Sequence, residues 1–86
     1  MQIHLVMGAD GECSAPVAAF IGLDAAVRRM SELHDIMHTS PKWEDDMTWD
    51  DYYPKKDAWV ATLPEHAKCC EHYHYFSIKT MEVSDG

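Results

Sequence analysis

From Leu23 to Met37, apolar side chains recur at three- and four-residue spacing: Leu23, Ala26, Val27, Met30, Leu33 and Met37. Arg28, Arg29, Ser31, Glu32 and Asp35 fall outside that stripe. The spacing predicts an amphipathic helix. Gly22 is an acceptable N-cap, Asp24 in the first turn suits the helix dipole, and Thr39-Ser40-Pro41 ends the element. A helix with one apolar side is stable only when that side lies against another layer. The rest of the chain has to supply that layer.

Three segments read as strands. Gln2–Met7 sets Ile3, Leu5 and Met7 against Gln2 and His4, the period-two signature of a half-buried strand with the aliphatic set inward. Gly8, Asp10 and Gly11 supply turn chemistry. Val17–Ile21 then reads as a second strand, beginning after Pro16, and the short connection makes the two an antiparallel pair. Tyr75–Val83 is the last strand, with Phe76 and Ile78 on one face. Met81 breaks that alternation: either a bulge near Lys79-Thr80 returns it to the inner face, or it joins Ser77 and Lys79 on the wet face.

Between helix and last strand the pattern is weaker. Lys42–Tyr53 carries five acids and four aromatics with no clear period. Pro54 suits the first turn of a short helix through Leu63, with Trp59 and Leu63 one turn apart as its inward pair. Pro64 stops it, and Glu65–Glu71 adds a further turn. The order β-β-α-α-β predicts an α+β fold. It is a three-stranded antiparallel sheet, N-terminal strand central, with one long helix packed on one face and a second short helix. With 86 residues, a chain buries only about 60–65% of its unfolded surface, so one domain spanning 1–86 is expected.

Charge narrows the function. Fifteen acids against seven bases give −8, a field that repels phosphate backbones and anionic membranes and complements a basic protein surface. No direct nucleic-acid or membrane contact is therefore expected, and the expected partner is a basic host protein or ribonucleoprotein effector. The chain itself would be a monomer or a homodimer. Cys13, Cys69 and Cys70 are odd in number and two are adjacent, unlike a secreted disulfide framework. Met1–Met7 lacks the form of a signal peptide, and no apolar run is long enough to cross a bilayer. A cytoplasmic setting fits these features.

Two segments are candidates for function. The first is the acidic–aromatic stretch, with Trp43, Glu44, Asp45, Asp46, Trp49, Asp50, Asp51, Tyr52 and Tyr53 as partner-binding residues. Its carboxylates can pair with Arg and Lys while its rings supply low-entropy contact area. The acids can also imitate nucleic-acid phosphates. The competing reading is a loop whose Trp rings cap the helix and whose acids are solvated. A calcium loop is disfavoured, because the turn Gly and distal Glu of an EF-hand are missing.

The second candidate is His66, Cys69, Cys70, His72 and His74. Zinc accepts these residue types, and His66, Cys70, His72 and His74 form the alternative metal set, although paired-ligand spacing is missing. The competing reading is packed or solvated side chains. His34 and His38 stand four residues apart without the Glu of a metalloprotease motif. Cys13 could act as a nucleophile only if a histidine such as His4 approached it. No phosphate-binding loop, nucleophile elbow or carboxylate pair is present, so neither catalysis nor a cofactor is expected.

Ile3-His4-Leu5-Val6-Met7-Gly8, Gly11-Glu12-Cys13-Ser14, Val17 to Phe20 and the helix with Ala26 resemble small phage- and prophage-encoded proteins of unknown function. Those proteins read strand, Gly-Glu-Tyr-Ser-Asp turn, second strand ending in Phe, helix, a variable Trp-bearing middle, and a Tyr-rich final strand like Tyr75–Val83. This chain departs from the pattern at Cys13, where Tyr is expected, and at Ala15, where Asp is expected. The resemblance implies a phage origin and residence in the host cytoplasm. It further implies an anti-CRISPR-like or related anti-defence inhibitor; the alternatives are a small zinc-binding module using the C-terminal His/Cys cluster, or an accessory phage domain that self-associates by a sheet edge.

Overall fold

The computed structural model describes residues 1–84. Its elements are β1 (Gln2–Ala9), β2 (Ser14–Phe20), α1 (Leu23–Met37), α2 (Trp49–Thr62), a 3-10 helix (Glu65–Glu71) and β3 (Tyr75–Glu82). The strands form one antiparallel sheet in the order β2-β1-β3, with the N-terminal strand central as expected. The fold is α+β, and α1 lies across one face of the sheet.

The turn joining β1 to β2 is built by Asp10. Its Oδ1 accepts the backbone N–H groups of Cys13 at 2.8 Å and Glu12 at 3.0 Å. Those two donors hold the Asp10 carboxyl below its ordinary range. Gly11, at φ +100, takes the left-handed conformation that closes the turn.

β2 starts earlier than expected, at Ser14, so Pro16 lies inside it. The strand tolerates Pro16 because it is at the sheet edge and the register slips there: Val6 pairs with Ala18 and Met7 with Pro16. The bulge leaves Val17 as the extra residue, and Val17 and Ala18 both pack against the core.

β1 faces the opposite way from the sequence expectation. His4, Val6 and Gly8 are the buried set, and Ile3, Leu5 and Met7 are only half-buried. Two local fits explain the choice. His4 Nδ1 shares a hydrogen bond of 2.9 Å with Thr80 Oγ1, so its polarity is satisfied inside. Gly8 belongs to the strand rather than the turn, and the Tyr73 ring packs onto it so closely that a Cβ at position 8 would lie 2.8 Å from Tyr73 Cγ. β3 keeps an unbroken register with β1, pairing Ile3 with Met81, so Met81 lies on the Lys79 face and is 44% exposed. The bulge alternative for Met81 is not used.

The core is small. Val6, Ala26, Leu33, Leu63, Ala67, Cys70 and Phe76 are its buried members, with Met30, Ile36, Met37 and Trp59 among the partly buried residues around it. Of the sequence stripe, Leu23 and Val27 are 49% and 41% exposed, and Ile36 packs inward instead. The 3-10 helix is fastened to α1 twice. Cys70 Sγ donates to the Leu33 carbonyl at 3.8 Å, and His66 Nε2 meets the Glu32 carboxylate. On the β3 side, the Phe76 N–H donates to His34 Nε2 at 3.3 Å.

α2 departs from this body. The radius of gyration is 15.4 Å and the molecule measures 56 × 24 × 17 Å, against about 12 Å expected for a rounded chain of this length. None of the 14 residues of α2 is fully buried. Only its C-terminal end is tied down. Leu63 enters the core, and Trp59 Nε1 donates to Thr39 Oγ1 at 2.9 Å. Lys68 Nζ donates to the Val60 carbonyl at 3.0 Å, supplying the cation that the last turn of α2 lacks. From that anchor α2 projects as an arm roughly 21 Å long.

Candidate functional site

The distal end of the arm is the acidic–aromatic stretch, and half of it is helical rather than irregular. α2 begins at Trp49, five residues before the expected start at Pro54. Thr48 and Asp51 initiate it with a capping box, a Thr-x-x-Asp signal readable in the sequence and overlooked among the surrounding acids. Pro54 lies within the helix and offers no N–H to the Asp50 carbonyl, one turn from the N-terminus where that loss is least costly.

Helical spacing puts Trp49, Tyr52 and Tyr53 on one side of the first turn. Trp43 folds back onto them from the preceding loop, where a turn from the Glu44 carbonyl to the Met47 N–H reverses the chain. Trp49 is the hub. Its ring centroid is 4.6 Å from Trp43, 5.4 Å from Tyr53 in a stacked arrangement, and 6.0 Å from Tyr52 edge-on, while Trp43 and Tyr52 are 5.5 Å apart. These are favourable aromatic geometries, yet the cluster remains open to solvent. Trp43 is 48%, Trp49 60% and Tyr53 54% exposed. The rings cap no helix of the body.

Glu44, Asp45, Asp46, Asp50 and Asp51 surround the rings and are all exposed. Six of the chain's 15 acids and two of its seven bases lie between Trp43 and Thr62, so half of the net charge of −8 is on this projection. Glu44, Asp46, Asp50 and Asp51 line one shallow depression together with Met47 and Lys55. Asp51 has a separate structural task, because its Oδ2 accepts the Thr48 N–H and the Thr48 hydroxyl. All nine sequence candidates are thus gathered at one end of the molecule, four rings with five carboxylates around them.

The histidine–cysteine segment is not gathered in this way. His66 turns to Glu32, Cys70 is buried against Leu33, and exposed His72 lies 3.8 Å from Glu71. The His74 backbone N–H donates to the Ala9 carbonyl. Among the described residues, no group of three or more His, Cys, Asp or Glu converges on a point where a metal ion would fit. Burial raises the Cys69 thiol and pushes Cys70 up to about 12, so Cys70 is a neutral, packed thiol at neutral pH. His34 and His38 separate as well, the former accepting from Phe76 and the latter ending α1.

Cys13 is exposed at the hairpin, whereas His4 is buried against Thr80, with roughly 17 Å of strand between His4 and Ala9. His4 therefore does not approach the Cys13 thiol. Among the described residues, no helix is long and apolar enough to cross a membrane. Comparison of the chain with family models, with curated proteins and with solved structures finds no match.

Proposed function

We propose that this chain is a small acidic phage-type protein that binds and inhibits a host macromolecule, as an anti-defence, anti-CRISPR-like inhibitor occupying a basic nucleic-acid-binding surface. The observation that supports this reading is the tip of α2, where four interlocked aromatic rings remain open to water inside a rim of carboxylates. Exposed Trp and Tyr clusters are the usual anchors of protein interfaces, and a rim of one charge sign steers the opposite sign toward them. Arg and Lys that ordinarily hold phosphates would meet Glu44, Asp45, Asp46 and Asp50 instead. The phage assignment rests on the sequence resemblance.

The test is affinity capture from host lysate, followed by binding measurements on the captured protein with and without its nucleic acid. Trp49→Ala is expected to weaken binding about 30-fold, the scale of an interface hot spot. A triple reversal, Asp45→Lys, Asp46→Lys and Asp50→Lys, should weaken it further and remove most of its salt sensitivity. Asp51 is left intact because it holds the helix start. Competition between the chain and nucleic acid for one basic surface is the required outcome. Binding that ignores these substitutions, or tight binding of the chain itself to duplex DNA or RNA, would sink the reading.

A further inference from the structure

α1 covers one face of the sheet, and nothing among the described residues covers the other. That bare face is apolar. Ile3, Leu5 and Met7 run down its centre. Met81 lies across from Ile3, Ala19 and Lys79 flank Leu5, and Pro16 and Ser77 flank Met7. An antiparallel sheet with one face in water normally alternates apolar with polar residues, whereas Ile3-His4-Leu5-Val6-Met7 is apolar on both sides apart from His4, as in strands buried on both faces. Lys79 is the one charged side chain among these residues, in a chain that has 15 acids.

We propose that a second copy of this chain covers the bare face, the two sheets stacking face to face with an α1 on each outer side. Three features select a second copy over a foreign partner. A two-fold contact must be self-complementary, and a carboxylate-free apolar patch meets that condition where the rest of this anionic surface would repel itself. The core of one chain is thin, with Leu33, Val6 and Cys70 its largest fully buried side chains. A cover that the fold needs throughout its life must be present in equal amount wherever the chain is made, as another copy is. The area also suffices. Three strands of seven or eight residues span about 26 by 14 Å, and pairing two such faces with their side-chain relief buries on the order of 1,000 Å², the lower bound for a specific interface. The face lacks the carboxylates of the α2 tip, so it does not compete with that tip for a basic partner, and the inference does not rest on the function proposed for the tip.

Sedimentation velocity of the full chain, from low micromolar to about 500 µM, tests it. A species of twice 9.8 kDa is expected, dissociating only on dilution. Leu5→Glu and Met81→Glu, made singly, should each weaken self-association by about 100-fold, because a carboxylate would have to be stripped of water in the contact. A glutamate at position 5 can also unfold the chain, so a second measurement uses wild-type protein alone. Isotope-filtered NOEs between labelled and unlabelled copies are expected at the methyls of Ile3, Leu5, Met7 and Met81. A folded monomer at every concentration overturns the inference and assigns the face to a partner of different sequence. So does a dimer whose intermolecular NOEs fall on the aromatic tip or along a strand edge and spare these methyls.

Discussion

Thr48 and Asp51 cap each other at the start of α2. The Asp51 N–H donates to Thr48 Oγ1 at 3.4 Å, and the Thr48 N–H donates to Asp51 Oδ2 at 3.2 Å. The pair fixes the first helical turn, and that turn sets the spacing of Trp49, Tyr52 and Tyr53. Thr48→Ala is expected to cost the turn about 1 kcal/mol. Amide exchange at Asp51 and Tyr52 should then quicken about fivefold, while the global urea midpoint stays within experimental error, because the turn lies far from the core. A large drop in global stability would show that the arm is integral to the fold.

The same separation predicts a contrast between two apolar truncations. Leu33 is 1% exposed on α1, and Leu33→Ala should cost about 2–5 kcal/mol. Trp49, a larger side chain that is 60% exposed, should cost under about 1 kcal/mol when replaced by Ala. Chemical denaturation followed by far-ultraviolet circular dichroism measures both. Comparable losses would contradict the description of α2 as an arm.

Gly8 and Tyr73 make a steric pair, so Gly8→Ala should destabilise the fold by about 1–3 kcal/mol through displacement of the ring. In a Tyr73→Ser background the added methyl finds space, and most of that cost should vanish. The double-mutant cycle is decisive: additive losses would mean the ring is not what position 8 accommodates.

The cysteines predict both a reactivity order and a pH dependence. With a disulfide reagent at neutral pH, exposed Cys13 should react at once, half-buried Cys69 slowly and buried Cys70 only on unfolding. Cys70 has a folded value of about 12 against an ordinary 9.0, raised by burial. From pH 9 upward the unfolded chain loses a proton that the folded chain retains, so the Cys70 contribution to stability is constant below that point and is lost as pH climbs toward 12. Denaturation midpoints at pH 8 and about pH 10.5 should therefore differ less in Cys70→Ala than in wild type. Equal slopes in the two proteins would exclude Cys70 as a source.

Much of the fold was readable because its strongest signals are periodic. The bounds of α1, the central place of β1 and the antiparallel order follow from the stripe after Leu23 and the short connection around Gly11. The face of β1 is not legible in this way, because Ile3, Leu5 and Met7 outweigh Val6 by hydrophobicity alone. Contacts distant in sequence decide it instead: Thr80 satisfies His4, and Tyr73 needs the bare backbone of Gly8. The start of α2 is obscured because Pro54 resembles a helix start, although Thr48 and Asp51 carry the better signal. The candidate binding residues were nameable from composition, whereas their assembly at a projecting tip was not. That placement depends on how few α2 side chains reach the core, which no local pattern records.

A projecting tip that contributes little to stability can tolerate rapid sequence change. Apart from Thr48 and Asp51, which hold the helix start, residues from Trp43 to Tyr53 can be exchanged one at a time with little loss to the core. A surface at such a tip can change its chemistry while the sheet and α1 are inherited almost unaltered.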